Sequence, residues 1–224
     1  MNVGIIGSGG REHAICFMLS KSKKVSKIFC FPGNAGTDFI AQNVNLDPNN
    51  FSELEKYCIE KEVKFLVVGP EKPLVNGIVD YFKGKPIRVF GPDKISSKLE
   101  GSKIFTKEIC QRNNIPTSKF KICESLKETI NFIKKSHYPL VIKADGLASG
   151  KGVYICRNFD DAKIASEEIF NGKFGHADQI LVEEFLDGEE MSYFIVTDGK
   201  DFKFFGSAQD HKRVGEGDTG RNTG

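Results

Sequence analysis

Four short apolar runs punctuate the first ninety-odd residues: NVGIIG (2–7), KIFCF (27–31), KFLVVGP (64–70) and IRVFGP (87–92). Each is rich in β-branched and aromatic side chains, the composition of a strand. Between them Arg11–Ser22, Phe51–Lys61 and Leu74–Lys83 carry apolar residues at helical spacing. Strands that are almost continuously apolar need cover on both faces. Their alternation with helices therefore predicts an α/β fold built on a doubly wound parallel sheet. Such sheets bind ligands beyond the carboxyl ends of their strands. Three turns bearing glycine or proline fall there: GSGGREH (7–13), FPGNAGT (31–37) and GPEKPL (69–74).

Past GPDKISSKLEGSK (91–103) the pattern changes. A helix is expected over Ser102–Asn113, followed by an exit through Pro116. Strand-like KFKICE (119–124), a helix over Ser125–Lys135, PLVIKA (139–144), a glycine loop and VYICR (153–157) come next. A helix over Asp160–Phe170, the run QILVEEF (179–185) and a hairpin over 191–209 complete the order. Strands here adjoin one another more often than they are separated by helices, which predicts an antiparallel α+β unit. The boundary between the two units is placed near residues 93–120. The polar tail VGEGDTGRNTG (214–224) reads as a loop cut before its next element.

Thirty-two basic against thirty acidic residues leave a net charge of +2. No global field therefore points to nucleic acid or an anionic membrane as partner. The six cysteines, at 16, 30, 58, 110, 123 and 156, form no C-x-x-C pair. They read as small buried apolar residues in a reducing cytosol, with disulfides the weaker reading. The N-terminus has no basic region ahead of its apolar run, and no segment approaches the roughly 20 apolar residues of a membrane span, so a cytoplasmic location is expected.

Three stretches carry candidate chemistry. GSGGREH follows a strand and opens a helix, where backbone N–H groups attract anions. Glu12 stands where the dinucleotide fingerprint requires glycine, which disfavours a nicotinamide or flavin. A plain tight turn is the alternative, and Arg11 favours a phosphate over it. KADGLASGKGV (143–153) is glycine-rich but is not a Walker loop: only three residues separate Gly146 from Gly150, and Gly152 follows Lys151. Lys143 would emerge at a strand end as a point charge for phosphate, with Ser149 and Lys151 as further donors. The alternative here is a mobile hairpin. ILVEEFLDGEEMSY (180–193) closes a strand on Glu183 and Glu184, with Glu190 seven residues beyond Glu183. One carboxylate suits an adenine amino group and another suits ribose hydroxyls. A solvated acidic turn would look the same.

Read together, eight ordered motifs resemble the ATP-grasp ligases, and within them the phosphoribosylamine–glycine ligase (glycinamide ribonucleotide synthetase) family. They are GSGGREHA, PGNAGT, VVGPEKPLVNGIVD, FGP…LEGSKIFTK, IPT, VIKADGLASGKGV, VEEFLDGEE and SAQDHKRVGEGDTGRNTG, and they run the length of the chain. The resemblance implies a Rossmann-like pre-ATP-grasp domain over 1–100 and a linker helix over 101–120. A small ATP-grasp subdomain with a glycine-rich lid over 121–188 and the start of a second subdomain over 189–224 follow.

The same resemblance assigns residues. Lys103 and Lys143 would contact ATP phosphates, and Ser149, Gly150, Lys151 and Gly152 would form the lid. Glu183 would take the adenine amino group, the backbone at Glu184 and Leu186 the ring edge, and Glu190 the ribose. Gly9, Gly10, Arg11, Gly33, Asn34, Gly36 and Glu71 would lie near 5-phosphoribosylamine. Asp210, His211, Lys212, Arg213, Asn222 and Thr223 match the family's substrate-side loop. The implied reaction joins glycine to 5-phosphoribosylamine through glycyl phosphate, giving glycinamide ribonucleotide, ADP and phosphate. Ligands for Mg²⁺ or Mn²⁺ are expected beyond Gly224, so no metal or catalytic residue is assigned and the 224 residues alone are expected to be inactive.

One departure is Arg221, where the family motif has proline. Three readings compete with this one: another ATP-grasp carboxylate–amine ligase of the purine- or biotin-carboxylase kind, a non-catalytic nucleotide-binding remnant, and, weakest because of Glu12, a dehydrogenase.

Overall fold

The computed structural model describes residues 1–148, 151–211, 213–216 and 219–222. The first unit holds β1 (Asn2–Gly7), α1 (Gly10–Ser20), β2 (Lys27–Pro32), a 3-10 turn (Thr37–Phe39), β3 (Gln42–Asn43), α2 (Phe51–Glu60), β4 (Val63–Val68), α3 (Glu71–Val75), α4 (Ile78–Phe82) and β5 (Arg88–Phe90). Its five strands are parallel, in the order β3-β2-β1-β4-β5. The sheet is covered on both faces. Val3 and Ile5 of β1 pack with Cys16 of α1, Ile28 and Cys30, whereas Ile6 packs with Phe31, Leu66, Leu54 and Cys58 of α2, and Ile78 and Phe82 of α4. Period-two alternation along β1 produces this division.

The single helix expected over 74–83 is two short ones. Asn76 closes α3, and Gly77 adopts φ +92 before α4 begins. A left-handed residue ends a helix, and glycine takes that conformation without a Cβ penalty. The two-residue β3 and the 3-10 turn carry too little apolar periodicity to be read from the sequence.

Two helices, α5 (Lys98–Gly101) and α6 (Lys103–Arg112), lead into the second unit. It contains β6 (Phe120–Cys123), α7 (Leu126–Ile133), β7 (Leu140–Ala144), β8 (Val153–Cys156), α8 (Phe159–Phe170) and β9 (Ile180–Glu184). The four strands are antiparallel, in the order β6-β9-β7-β8. Side-chain caps start the helices where the sequence offers them: Ser102 accepts from Phe105 N, Ser125 from Glu128 N and Asn158 from Asp161 N. Leu140, Ile142, Ala144, Cys156, Ile180 and Val182 turn toward α7 and α8 and form the second core.

Two hairpins follow, β10 (Ser192–Thr197) with β11 (Phe202–Ala208), and β12 (Arg213–Gly215) with β13 (Thr219–Asn222). Tyr193, Phe194, Ile195, Phe202, Phe204 and Phe205 of the first hairpin are exposed. The cysteines are free thiols, with Cys110 half-buried and the other five buried. Burial pushes the Cys58 thiol up to about 12 and that of Cys156 up to about 11, so both stay protonated near neutrality.

Gly4 marks the tightest point of β1. A Cβ there would stand 2.5 Å from Leu66 Cδ2 and 3.0 Å from Phe31 Cε2. Gly4→Val is expected to destabilise the first unit by about 1–3 kcal/mol through overpacking, measured by urea denaturation.

Candidate functional site

Two groups of predicted residues come together, one at the four-stranded sheet and one at the five-stranded sheet. The first follows from strand register. Val141 pairs with Ile155 and Glu183, and Lys143 pairs with Val153 and Leu181. Paired residues of antiparallel strands share a face. Val141, Lys143, Val153, Ile155, Leu181 and Glu183 therefore lie together, opposite the core against α7 and α8. Val153 and Ile155 are exposed on that face. A concavity of about 340 Å³ beside it is lined by Tyr138, Pro139, Ile155, Arg157 and Phe185.

Glu183 is the centre of this face. Its side chain is only 5% exposed and meets two ammonium groups, with Lys143 Nζ 3.1 Å from Oε1 and Lys107 Nζ 3.2 Å from Oε2. Ser118 Oγ donates to Oε2 at 2.6 Å. Burial alone would push this carboxyl up, but the Ser118 hydrogen bond and the Lys143 and Lys107 ammoniums outweigh it and hold it below the usual carboxylate range. Oε1 is buried and, despite the adjacent Lys143, accepts no hydrogen bond of proper angle among the described residues.

Lys103 anchors the root of the glycine loop. Its Nζ donates to Ala144 O at 3.0 Å and to Gly146 O at 2.9 Å. Burial pulls its ammonium below the usual lysine value, against the Asp145 carboxylate, which raises it. Asp145 in turn accepts from Ser102 Oγ and from Ile104 N, satisfying a free donor at the start of α6. The far end of the loop is tied back by Ala144 N donating to Gly152 O at 2.8 Å. Gly146 has φ +90. A Cβ on Gly152 would meet Ala148 Cβ at 2.7 Å and Ala144 Cβ at 3.1 Å. Lys151 is exposed, whereas Ser149 and Gly150 lie outside the described residues.

The second group collects at the carboxyl ends of β1, β2 and β4. Asn34 Nδ2 donates to Ser8 O at 2.9 Å and Gly9 O at 3.0 Å, while its Oδ1 accepts from Gly36 N and Thr37 N. Asn43 Nδ2 returns to Asn34 O, and Gly33, at φ +79, leaves room for the Asn43 amide. Arg11 Nη2 reaches Glu71 Oε1 at 3.3 Å, joining the first turn to the start of α3. Gly9, Arg11, Gly33, Asn34, Gly36 and Glu71 thus share one end of the sheet, and Gly10 faces open space. A larger concavity, about 500 Å³, opens at the β2–β3 edge beside Val25, Phe39 and Ile40 and shares no residue with either group.

Other predicted residues sit apart from these groups. Glu184 Oε1 accepts from Lys119 N at 2.8 Å, and Leu186 and Glu190 are exposed in the β9–β10 connection. Asp210 and His211 follow β11, and the register places Arg213 opposite Asn222. Lys212 and Thr223 lie outside the described residues.

Sequence reasoning passed over Lys107, Ser118, Asp145 and the burial of Glu12. The available signal was spacing: Lys107 is one helical turn beyond Lys103, and so shares its side of α6. Among the described residues, no group of three or more His, Cys, Asp or Glu side chains is placed to hold a metal ion. No helix of the described residues is long and apolar enough to cross a membrane.

A parallel sheet joined to an antiparallel unit that carries a glycine loop between two strands and a lysine–glutamate pair on its sheet is the fold of ATP-grasp proteins. An N5-carboxyaminoimidazole ribonucleotide synthetase solved as its ADP complex superposes with a TM-score of 0.73 at 15% identity, over 97% of this chain and 55% of that one. That likeness concerns the fold. The family is shown by sequence: residues 1–100 match the phosphoribosylglycinamide synthetase N domain, and residues 101–224 match the phosphoribosylglycinamide synthetase ATP-grasp (A) domain. The chain belongs to the phosphoribosylglycinamide synthetase family. It is 47% identical to a phosphoribosylamine–glycine ligase of Mesorhizobium japonicum, over 100% of this chain and 53% of the relative. The crystal structure of a phosphoribosylamine–glycine ligase from Thermotoga maritima matches with a TM-score of 0.82 and 33% identity, over 100% of this chain and 54% of that one. The chain therefore spans about half the length of the curated relatives it matches.

The depressed carboxyl of Glu183 has a consequence for acid stability. A carboxyl held below its unfolded value contributes stability above the unfolded range and loses it as pH falls through the folded value. Glu183→Gln is expected to cost on the order of 3 kcal/mol near neutrality. The gap to the wild type should narrow below about pH 4, as followed by denaturant melts at several pH values.

Proposed function

We propose that this chain binds ATP on the Lys103–Lys143–Glu183 face and 5-phosphoribosylamine at the Gly9–Arg11, Gly33–Gly36 and Glu71 turns. In the whole protein these would support ligation of glycine to 5-phosphoribosylamine. The observation that supports the reading is the pairing of Lys143 and Glu183, 3.1 Å apart, with Lys103 holding the root of the glycine loop that follows Lys143.

The chemistry has two steps. A glycine carboxylate oxygen bonds to the γ-phosphorus of ATP while the bond to the β,γ-bridging oxygen breaks, releasing ADP. The amine of 5-phosphoribosylamine then attacks the acyl carbon of glycyl phosphate, and the carbon–oxygen bond to phosphate breaks. Bringing two anions together requires fixed positive charge and exclusion of water from the acyl phosphate. In this chain Lys143 from β7 and Lys103 from the start of α6 supply that charge, with Lys151 from the glycine loop. Val141, Val153 and Ile155 offer an apolar bed for the purine, and Glu183, paired across the strands with Val141, brings a buried carboxylate oxygen to the same face. Arg11 and the N–H groups opening α1 suit the 5-phosphate. The described residues do not fit a divalent cation, so no step is assigned to one.

Calorimetry of ATP against the 224 residues tests the site directly. Binding is expected for the wild type. Lys143→Ala and Glu183→Ala should each weaken it by about tenfold or more, on the order of one charged hydrogen bond lost. Equal affinity in all three proteins would overturn the assignment.

A further inference from the structure

Two cations share the buried Glu183 carboxylate, and their surroundings differ. Lys107, 10% exposed, is caged: its Nζ donates to Thr117 Oγ1 and Ser118 Oγ, each at 2.6 Å, and to Ser118 O at 3.4 Å, and it lies 3.2 Å from Glu183 Oε2. Lys143, 25% exposed, stands at the end of β7 beside the open face, with Glu183 Oε1 as its partner at 3.1 Å. One ammonium is fixed by four acceptors. The other can leave.

We infer that Lys107 is a positioning residue that, with Ser118, keeps Glu183 ionised when the Lys143 ammonium transfers to the phosphates of a bound nucleotide. The inference rests on the reading of this face as a nucleotide site. A buried carboxylate stripped of its counter-ions takes up a proton, whereas one that keeps a caged ammonium does not. The charged and polar groups around Glu183 are Lys103 and Lys107 from α6, Lys143 from β7 and Ser118 from the segment before β6. Its neighbour Glu184 is turned to Lys119 N. Once Lys143 has moved, Lys107 is the paired cation left in contact. Lys103 is committed to the carbonyls of Ala144 and Gly146. Lys107 therefore lets the site exchange the partner of Lys143 without exchanging a proton.

The test reads proton linkage, which a merely structural role would not move. ATP binding is measured by calorimetry between about pH 7.5 and 9, in buffers of differing protonation enthalpy. The wild type is expected to take up no proton and to bind with flat pH dependence. Lys107→Met is expected to take up close to one proton on binding. Its affinity should therefore fall by up to about tenfold per pH unit as pH rises. Combining Lys107→Met with Glu183→Gln should abolish that slope, because no carboxyl remains to protonate. A flat profile in Lys107→Met, with or without lowered thermal stability, overturns the inference. A wild type that binds no ATP at any pH sinks the site reading and this inference together, so the two failures are distinct. Should Lys107→Met not fold, the ¹³C carboxyl resonance of Glu183 in the wild type decides the matter. With ATP bound it should stay at its ionised position above about pH 6, and titration in the neutral range would overturn the inference.

Discussion

A carboxylate taken out of water must be matched by positive charge or it protonates, and Glu183 sets that requirement for the second unit. Meeting it draws in Lys107 from α6, Lys143 from β7 and Ser118 from the segment ahead of β6. Three pieces of chain far apart in sequence are thereby fixed around one atom group. The arrangement contributes little net stability if judged as an ion pair alone, because desolvation offsets most of the attraction. Its effect is on position. Lys143 is held at the edge of an apolar face, and α6 is seated so that Lys103 reaches the root of the glycine loop.

The same helix connects the two groups of candidate residues. Asp145 caps the start of α6, α5 precedes it, and a Cβ on Gly101 would stand 3.0 Å from Val75 of α3. Helix α3 begins at Glu71, which pairs with Arg11. From Glu183 to Arg11 the route thus runs through packed helices and charged contacts, without a long irregular segment. The segment that the family resemblance presents as a linker helix is in effect a spacer of set length.

Legibility in the sequence follows the physics of each feature. The β1, β2, β4, β7 and β9 strands were readable because each holds a short, mostly apolar run rich in β-branched or aromatic residues, which is hard to mistake. Helix 74–83 was not, because its apolar spacing continues across Gly77 and only the backbone shows the left-handed break. Lys143 and Glu183 were readable at strand ends. Lys107 was not: in a helix written KIFTKEICQR, a lysine reads as part of a solvated face. Its burial depends on Ser118 and Glu183, and those partners come from eleven and seventy-six residues away. Charge burial is a tertiary property, and no local pattern encodes it.

Glu12 shows how one side chain can fill a glycine turn. Its carboxylate, 4% exposed, lies against Gly7, Gly9 and Gly69, and a Cβ on Gly69 would overlap Glu12 Oε1. Gly9 N donates to Glu12 Oε2 at 2.6 Å. In a dinucleotide-binding turn, that space and those N–H groups belong to a pyrophosphate. Here the Gly9 donor is consumed and the Glu12 side chain fills the cradle, so no space is left there for a second anion. The open surface of the turn lies instead at Gly10 and the exposed Arg11 guanidinium. That surface faces the Asn34 loop and not the interior of the sheet. The glycines of this turn therefore serve a buried glutamate.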